Sequence, residues 1–328
     1  MNIGQFPSDC LKIQSDSHYL IKYPRYKKYC PDYGLFRSVI YRNDNTPVCF
    51  SPPKSIPFTF TIPLEQCIIE EFVEGTMINV FYDTKWIIST KSKVGAECTF
   101  DSPLTFADMF YECINNTPQW EQLDTRYTYS FVMQHTANRI VTVITENKLI
   151  LVAMYEIIDN LVYEKEVPFL APQRFTFSSY DELIRKAQEM TCKGLVVKSN
   201  GYRWKVRNIE HENIEKIKGS SFQYHYLCIR SKPDVVAIYF NHFPENSLQA
   251  EHMEYKIKSC AVMLFSSYKE CFIAKKNKLN TYLCSSYLYE LHGIYLRQRP
   301  YPLQQTQVLN YVNSLTPARL LTLIRLWF

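Results

Sequence analysis

Between about residues 68 and 207, the pattern of apolar and polar positions is mostly that of β-strands. Pairs of strand-like runs flank short turn sequences and predict three hairpins: 76–82 with 86–90, 139–145 with 149–155, and 194–198 with 202–207. The turn of the third contains Asn200-Gly201, and an Asn-Gly pair favours a tight hairpin because both residues accept positive φ. Runs with helical spacing lie between the strands at 102–115 and 179–190, and Ser179 is placed to cap the second.

After residue 208 the apolar residues recur at spacings of three and four, which predicts helices. The helical stretches are 212–218, 247–274, 281–297, 303–315 and 317–327, with Pro317 in the first turn of the last. Residues 1–60 are rich in proline, tyrosine and lysine, and we expect irregular structure there. The pattern therefore predicts an α+β protein in which antiparallel sheets with flanking helices precede an all-helical C-terminal domain.

Glycine is scarce, with 8 residues in a chain of 328, and the closest two lie seven positions apart. Dinucleotide-binding and P-loop motifs need clustered glycines to bring backbone N–H groups to phosphate, so both motifs are excluded. The 11 cysteines contain no C-x-x-C pair, which predicts reduced thiols without a disulfide framework or a metal site. The longest apolar run, 149–155, is far too short to cross a bilayer. We therefore expect a cytoplasmic protein with no membrane partner.

Positive charge is concentrated in the C-terminal part and on one strand. The net charge is +5, and residues 209–328, with 14 basic and 9 acidic residues, account for all of it. In the run 202–207, Arg203, Lys205 and Arg207 share one strand face, opposite an apolar face. Three like charges on one face repel each other unless water or an anion screens them. The basic face therefore indicates either a solvated sheet surface or a phosphate-binding surface.

Six segments, in order along the chain, resemble motifs of the covalent nucleotidyltransferase superfamily, in particular phage-type RNA ligases and their relatives in large DNA viruses. The first combines Arg37 in RSVI with Lys54 in PPKS, and is similar to the R-G strand and the Pro-x-x-Lys stretch of the family. The second, EEFVEGTM, resembles the nucleophile motif K-x-D-G. Phe72 stands at the position of the lysine, Glu74 at the aspartate and Gly75 at the glycine.

The remaining four segments follow the same order. TKSKVGA, with Lys91 and Lys93, is similar to the R-G-S-type motif. SFVMQHTANRIV resembles F-E-Y-x-x-P-x-N-R-I-V, with Val132 at the position of the ribose-contacting glutamate. CKGLVV resembles E-G-[VL]-V, with Lys193 where the family has the glutamate that serves the metal. WKVR is similar to the K-x-K motif, with Lys205 and Arg207 at the positions of its two basic residues.

The resemblance implies the ATP-grasp-like adenylation fold of these ligases for residues 31–208, after an N-terminal extension, 1–30, and before the helical domain, 209–328. Family members attack the α-phosphorus of ATP with the motif lysine, while magnesium neutralises the pyrophosphate leaving group. Residues 55–84 contain no lysine, so no shift of register supplies the nucleophile that Phe72 replaces. ATP and magnesium are therefore expected as cofactors only if activity survives.

The residues that differ from the family motifs remove the nucleophile and the metal ligand, whereas the residues expected to bind anions are kept. The expected phosphate-binding positions are Arg37, Lys54, Gly75, Lys91, Lys93, Lys193, Lys205 and Arg207, with no metal site. Our first hypothesis is an RNA-ligase-like pseudoenzyme that binds RNA, another single-stranded nucleic acid or a partner protein, in a host cytoplasm or a virion. The alternatives are an active ATP-dependent RNA ligase with a displaced lysine, such as Lys54 or Lys91, and a structural subunit of a viral complex.

Overall fold

The computed structural model describes residues 1–27, 31–56, 61–100, 102–219, 221–276 and 283–328. Contacts among them divide the chain into two compact units, Met1–Glu215 and Lys216–Phe328. Every strand of the described ranges lies in the first unit, and the second unit is helical. The predicted α+β class with antiparallel sheets is confirmed. Within these ranges, no helix combines the length and the apolar character that crossing a membrane requires.

A four-stranded antiparallel sheet occupies part of the N-terminal region. Its strands, in spatial order, are β1 (Leu11–Gln14), β2 (His18–Lys22), β3 (Val39–Arg42) and β4 (Pro47–Phe50). The prediction of irregular structure for 1–60 is therefore wrong for these segments. The strands have only four or five residues each, so their alternation is too short to stand out from the surrounding prolines.

The central sheet has five antiparallel strands. In spatial order they are β10 (Leu161–Lys165), β9 (Lys148–Ile158), β8 (Tyr127–Gln134), β6 (Thr76–Asp83) and β7 (Lys85–Ser89). Helix α2 (Phe106–Ile114) packs on this sheet through Met109 and Phe110. The helix is shorter than its predicted range, because the Thr105 side chain accepts the N–H of Asp108 and fixes the start of the helix.

A third antiparallel sheet carries the last two motif segments. Its strands, in spatial order, are β11 (Arg174–Phe175), β5 (Ile68–Glu71), β12 (Gly194–Ser199) and β13 (Tyr202–Arg207). Helix α3 (Tyr180–Glu189) covers one face, where Leu183 packs with Trp204 and Val206. Ser179 accepts the N–H of Glu182, which confirms the predicted N-cap. The β12–β13 hairpin and the β6–β7 hairpin are likewise confirmed.

The predicted hairpin of 139–145 with 149–155 is wrong. Residues 139–145 form no strand, and β9 pairs with β8 and β10 instead. The N–H groups of Val141 and Thr142 donate to the carboxylate of Glu74, at 2.7 and 3.0 Å. A buried side chain thus satisfies the backbone groups that a partner strand would otherwise satisfy. The alternation of apolar and polar residues gives no indication that the Glu74 carboxylate takes these hydrogen bonds.

The remaining helices complete the described fold. They are α1 (Pro31–Gly34), α4 (Ile209–Lys218), α5 (Phe222–Ile229), α6 (Pro233–His242), α7 (Ser247–Tyr268), α8 (Ser285–Arg297), α9 (Gln305–Ser314) and α10 (Pro317–Arg325). The predicted helical character after 208 is confirmed for the described residues, as is Pro317 in the first turn of α10. The helices α5 and α6 were not predicted, since their apolar residues are not confined to one stripe. Residues 281 and 282 of one predicted helix lie outside the described residues.

Candidate anion-binding site

Phe72 lies in the short link between β5 and β6, where the chain passes from the third sheet to the central sheet. Its N–H donates to the carbonyl oxygen of Gly194, the first residue of β12, at 2.9 Å. The ring centroid is 4.1 Å from the Nζ of Lys205, 5.7 Å from the Nζ of Lys193 and 6.0 Å from the Cζ of Arg207. The face of an aromatic ring attracts cations at these distances. Three of the expected phosphate-binding residues therefore lie around the ring of Phe72.

A cavity of about 180 Å³ opens beside Phe72. Pockets that enclose whole small molecules usually measure about 300–1,000 Å³, so this cavity suits a phosphate group better than a complete nucleotide. The charged residues of its wall are Arg37, Glu70, Glu71, Lys193, Arg203 and Lys205. Gly75 and Val132, at the positions of the motif glycine and of the ribose-contacting glutamate, also line it.

Arg37, Arg203 and Lys205 bring three cationic groups into this cavity. Within the described ranges, no hydrogen bond or ion pair joins their side chains to another residue. Arg203 is 9% exposed, and its Nε is buried without a hydrogen-bond partner. Burial and four neighbouring cations lower the pKa of Lys205 to about 6. Burial and the charge of Arg203 also lower the pKa of Arg37. The amine of Lys205 is therefore mostly neutral at pH 7, and an anion in the cavity would favour its protonated form.

The two carboxylates in the wall do not balance these cations. The Oε2 of Glu70 is 2.5 Å from the Nζ of Lys198, and its Oε1 is 3.6 Å from the Nε of Arg174. Lys198 also donates to the carbonyl oxygen of Val152 at 3.0 Å. Glu70 is thus neutralised by cations that do not line the cavity, while burial raises the pKa of Glu71. The cavity keeps an excess of positive groups.

Glu74, at the position of the motif aspartate, does not line this cavity. Its buried carboxylate accepts hydrogen bonds from the N–H groups of Val141 and Thr142, from the Thr142 hydroxyl and from the Nε2 of His211. Burial opposes ionisation of Glu74, but the hydrogen bonds from His211 and Val141 outweigh it and lower the pKa of the carboxyl. Glu74 therefore ties the link between β5 and β6 to the segment 139–145 and to the first turn of α4.

Helix α4 also places two acidic side chains against the cations near Phe72. The Oε1 of Glu212 is 2.7 Å from the Nη1 of Arg207. The Oε1 of Glu215 is 3.0 Å from the Nζ of Lys193. Two of the expected phosphate-binding residues are therefore paired with carboxylates of their own chain.

The structure does not bring Lys54, Lys91 or Lys93 into the cavity. The Nζ atoms of Lys54 and Lys91 lie 5.5 and 4.9 Å from the ring centroid of Tyr23, and Lys93 is exposed in the turn after β7. Burial raises the pKa of Tyr23, and the nearby charge of Arg37 opposes this increase. Tyr23 thus lies close to Arg37 and to both lysines, of which Lys91 is exposed while the Nζ of Lys54 is buried.

The motif resemblance assigns no site role to Arg203, Lys198, His211, Glu212 or Glu215. The signal for Arg203 is present, because it alternates with Lys205 and Arg207 along one strand face. His211 and the acidic residues of α4 match no motif, and they reach Glu74, Arg207 and Lys193 only because of where the fold places α4. Their contribution is visible only in the folded chain.

The residues present do not fit a magnesium ion, which the resemblance would require for pyrophosphate release. Magnesium needs oxygen ligands, usually carboxylates. Here Lys193 stands at the position of the metal-serving glutamate, and Glu74 is engaged by His211. Of the two carboxylates in the cavity wall, Glu70 is paired with Lys198, and burial raises the pKa of Glu71, which disfavours its ionised form. In the part of the chain that the structure describes, no three His, Cys, Asp or Glu side chains are grouped to hold a metal.

No protein-family model matches the chain. A curated protein from Invertebrate iridescent virus 3, named "Immediate-early protein ICP-46 homolog", is 26% identical over 224 residues. The match covers 62% of this chain and 50% of the viral protein, so the chain spans about half the length of that relative.

The solved structures to which the chain is similar include ATP-dependent ligases. An archaeal ATP-dependent RNA ligase (form 1) has a TM-score of 0.45 at 12% identity, covering 75% of this chain and 72% of that chain. Its form 2 has a TM-score of 0.41 at 13% identity, covering 77% and 76%. A putative ATP-dependent DNA ligase from Aquifex aeolicus has a TM-score of 0.42 at 13% identity, covering 75% and 72%. Identities and TM-scores at this level do not establish a shared activity.

Proposed function

We propose that this chain is a nucleotidyltransferase-like pseudoenzyme that binds the phosphates of single-stranded nucleic acid, RNA in the first place, at a cation cluster around Phe72. The cation cluster consists of Arg37, Lys193, Arg203, Lys205 and Arg207. Its main support is the cavity in which Arg37, Arg203 and Lys205 meet without an acidic partner among the described residues.

Burial, and then the repulsion of the neighbouring cations, lower the pKa of Lys205, because both disfavour a further positive charge in the cavity. A phosphate group relieves this repulsion, because its oxygens accept hydrogen bonds from guanidinium and ammonium groups at once. Its size also suits a cavity of about 180 Å³. Binding of a phosphate should therefore be accompanied by uptake of a proton on Lys205 near neutral pH.

A polynucleotide fits the arrangement of charges better than a single phosphate ion does. Outside the cavity, Tyr23 lies close to Arg37 and to two further lysines, Lys91, which is exposed, and Lys54, whose Nζ is buried. A strand presents phosphates in series, and proteins that bind single strands follow the backbone with a row of cations. These further lysines support a ligand with more than one phosphate.

Two residues support the loss of lysine adenylation. Phe72 has no nucleophilic atom, and it occupies the place of the lysine that forms the covalent intermediate in the family. Lys193 has no oxygen with which to ligate the metal that neutralises pyrophosphate. Lys193 instead adds a positive charge beside Phe72, which favours an anion over a cation at this position.

The double variant Arg37→Ala/Arg203→Ala tests the proposed binding. We expect at least about a tenfold loss of affinity for a short fluorescein-labelled single-stranded RNA, because a hydrogen bond to a charged group contributes about 1.5–3 kcal/mol. Fluorescence anisotropy measures the affinity, with single-stranded DNA of the same sequence in parallel. Lys85→Ala/Lys186→Ala is the control, since it removes the same charge from exposed positions of the first unit. Equal losses in both variants would contradict the proposal, and a wild-type chain that binds neither strand would favour the structural-subunit alternative.

A second candidate function is an active ATP-dependent ligase that uses the same cavity and a displaced lysine. That lysine is Lys205, and neither Lys54 nor Lys91. The Nζ of Lys205 lies over the ring of Phe72. With a pKa of about 6, its amine is unprotonated at neutral pH, as a nucleophile must be. In this candidate, the Nζ attacks the α-phosphorus of ATP and forms an N–P bond. The P–O bond to pyrophosphate breaks, and the amine loses its proton to solvent.

Intact mass distinguishes the two candidates. After incubation with ATP and magnesium, we expect the mass of the denatured wild-type chain to stay unchanged, because the motif position offers no amine. The second candidate requires a mass increase of one AMP that survives denaturation and disappears in Lys205→Arg, whose guanidinium stays protonated. Such an adduct on the wild-type chain would overturn the pseudoenzyme proposal.

A further inference from the structure

Two residues of the cation cluster, Lys193 and Arg207, differ from the other three because each already forms an ion pair with a glutamate of α4. Glu212 pairs with Arg207 at 2.7 Å, and Glu215 pairs with Lys193 at 3.0 Å. The two glutamates are three residues apart in α4, so they project from the same side of the helix. Both partners lie within about 6 Å of the ring of Phe72, where their positive groups surround it.

We propose that α4 provides an internal substitute for the ligand, in which Glu212 and Glu215 occupy the positions that phosphates of a bound strand would take. A strand that binds the cluster displaces the two carboxylates from Arg207 and Lys193. This inference rests on the proposed function, since it describes the regulation of the same site. It makes α4 an inhibitory element that lowers the affinity of the cation cluster for phosphates.

Water reaches both glutamates, which makes this exchange feasible. The side chains of Arg207 and Glu212 are 47% and 32% exposed, and in the second pair Glu215 is 40% exposed while Lys193 is 15% exposed. Ion pairs that water reaches are weak, because solvent screens them and their side chains lose freedom when they pair. A phosphodiester can therefore replace either carboxylate without a large loss. The buried cations of the cavity have no such competitor among the described residues.

The first turn of α4 stays in place during this exchange. His211 donates to the buried Glu74, and the His211 N–H donates to the Oδ1 of Asn208 at 3.1 Å. The Nδ2 of Asn208 in turn donates to the carbonyl oxygen of Met190 at 2.5 Å. These bonds fix the start of the helix to the chain before β12. Only the side chains of Glu212 and Glu215 need to rotate away from the cations.

The variant Glu212→Gln/Glu215→Gln tests the inference. It removes both competing charges while it keeps the size of the side chains. We expect the affinity for single-stranded RNA to increase by about two- to thirty-fold, the range that corresponds to the loss of two exposed ion pairs. The control is Glu189→Gln/Glu210→Gln, which removes two exposed negative charges from α3 and α4. Fluorescence anisotropy compares both variants with the wild-type chain, each also with Arg37→Ala/Arg203→Ala added.

The outcomes separate this inference from the proposed function. A gain in Glu212→Gln/Glu215→Gln that exceeds the gain in the control, and that requires Arg37 and Arg203, supports both. If wild-type binding depends on Arg37 and Arg203 but the two glutamine variants bind equally well, the inference is overturned and the proposed function stands. If none of the chains binds, the proposed function fails and the inference fails with it. If only Glu212→Gln/Glu215→Gln binds, and its binding requires Arg37 and Arg203, both proposals are supported, with α4 lowering the affinity of the wild-type chain below detection.

Discussion

Replacing Glu74 by alanine should lower the free energy of unfolding by about 3–5 kcal/mol, the range for breaking a buried charged network by removing one partner. The variant leaves the N–H groups of Val141 and Thr142 and the imidazole of His211 without their buried acceptor. Each unsatisfied buried donor costs about 1–3 kcal/mol. Urea unfolding followed by circular dichroism measures the change.

The matched control is Glu71→Ala, a neighbouring carboxylate that is only partly buried and takes no part in these hydrogen bonds. We expect a loss below about 1 kcal/mol for it, as for most partly exposed positions. The pH dependence gives a second measure, since the folded chain lowers the pKa of Glu74 below the value of 4.5 of the unfolded chain. Its stabilisation is present above that value and disappears as the pH falls through the folded pKa. Equal stability of the two variants would show that Glu74 has no structural role.

Replacing Gly194 by alanine should destabilise the chain by about 2–5 kcal/mol, the sum of backbone strain and overpacking. Gly194 has a φ of +115°, and an added Cβ would lie 2.2 Å from the carbonyl oxygen of Val206 and 2.9 Å from the N of Asn208. Both atoms belong to the backbone, so they cannot rotate away. Because the Gly194 carbonyl also accepts the N–H of Phe72, the variant should weaken RNA binding as well.

Substitutions at two other glycines distinguish the backbone strain from the overpacking that we expect in Gly194→Ala. Gly201 has a φ of +77° but open space around it, so Gly201→Ala should show only the backbone strain, about 1 kcal/mol. Gly34 has neither a positive φ nor an atom within 4 Å of an added Cβ, so Gly34→Ala should be nearly neutral. Thermal unfolding of the three variants should rank Gly194→Ala lowest. A Gly194→Ala chain as stable as Gly34→Ala would contradict the close approach of β12 and β13.

The parts of the fold that could be predicted are those with strong local signals. The turn at Asn200-Gly201 and the cap at Ser179 lie in the sequence itself, and both are present in the structure. The N-terminal sheet could not be predicted, because short strands such as β2 are buried along most of their length and show no alternation. The segment 139–145 could not be predicted either, because Glu74, more than sixty residues away in sequence, takes its hydrogen bonds.

In the candidate site too, some residues could be predicted from the sequence and others could not. Motif order placed Phe72, Lys193 and Lys205 in one site, and the fold brings their side chains together. Their role in binding an anion stays a prediction. Arg203 was recognised on the basic strand face but was not among the expected phosphate-binding positions, because no motif position corresponds to it. Glu212 could not be found at all, since only the packing of α4 brings it to Arg207.

The salt dependence of RNA binding is the most direct test of the central claim that the cation cluster binds phosphates. For single strands, the logarithm of the affinity falls with the logarithm of the salt concentration by about 0.7 per phosphate neutralised. Removing the two cations of Arg37→Ala/Arg203→Ala should therefore make the slope shallower by about 1.4, with a smaller change in Lys85→Ala/Lys186→Ala. Identical slopes for the wild-type chain and Arg37→Ala/Arg203→Ala would contradict the claim.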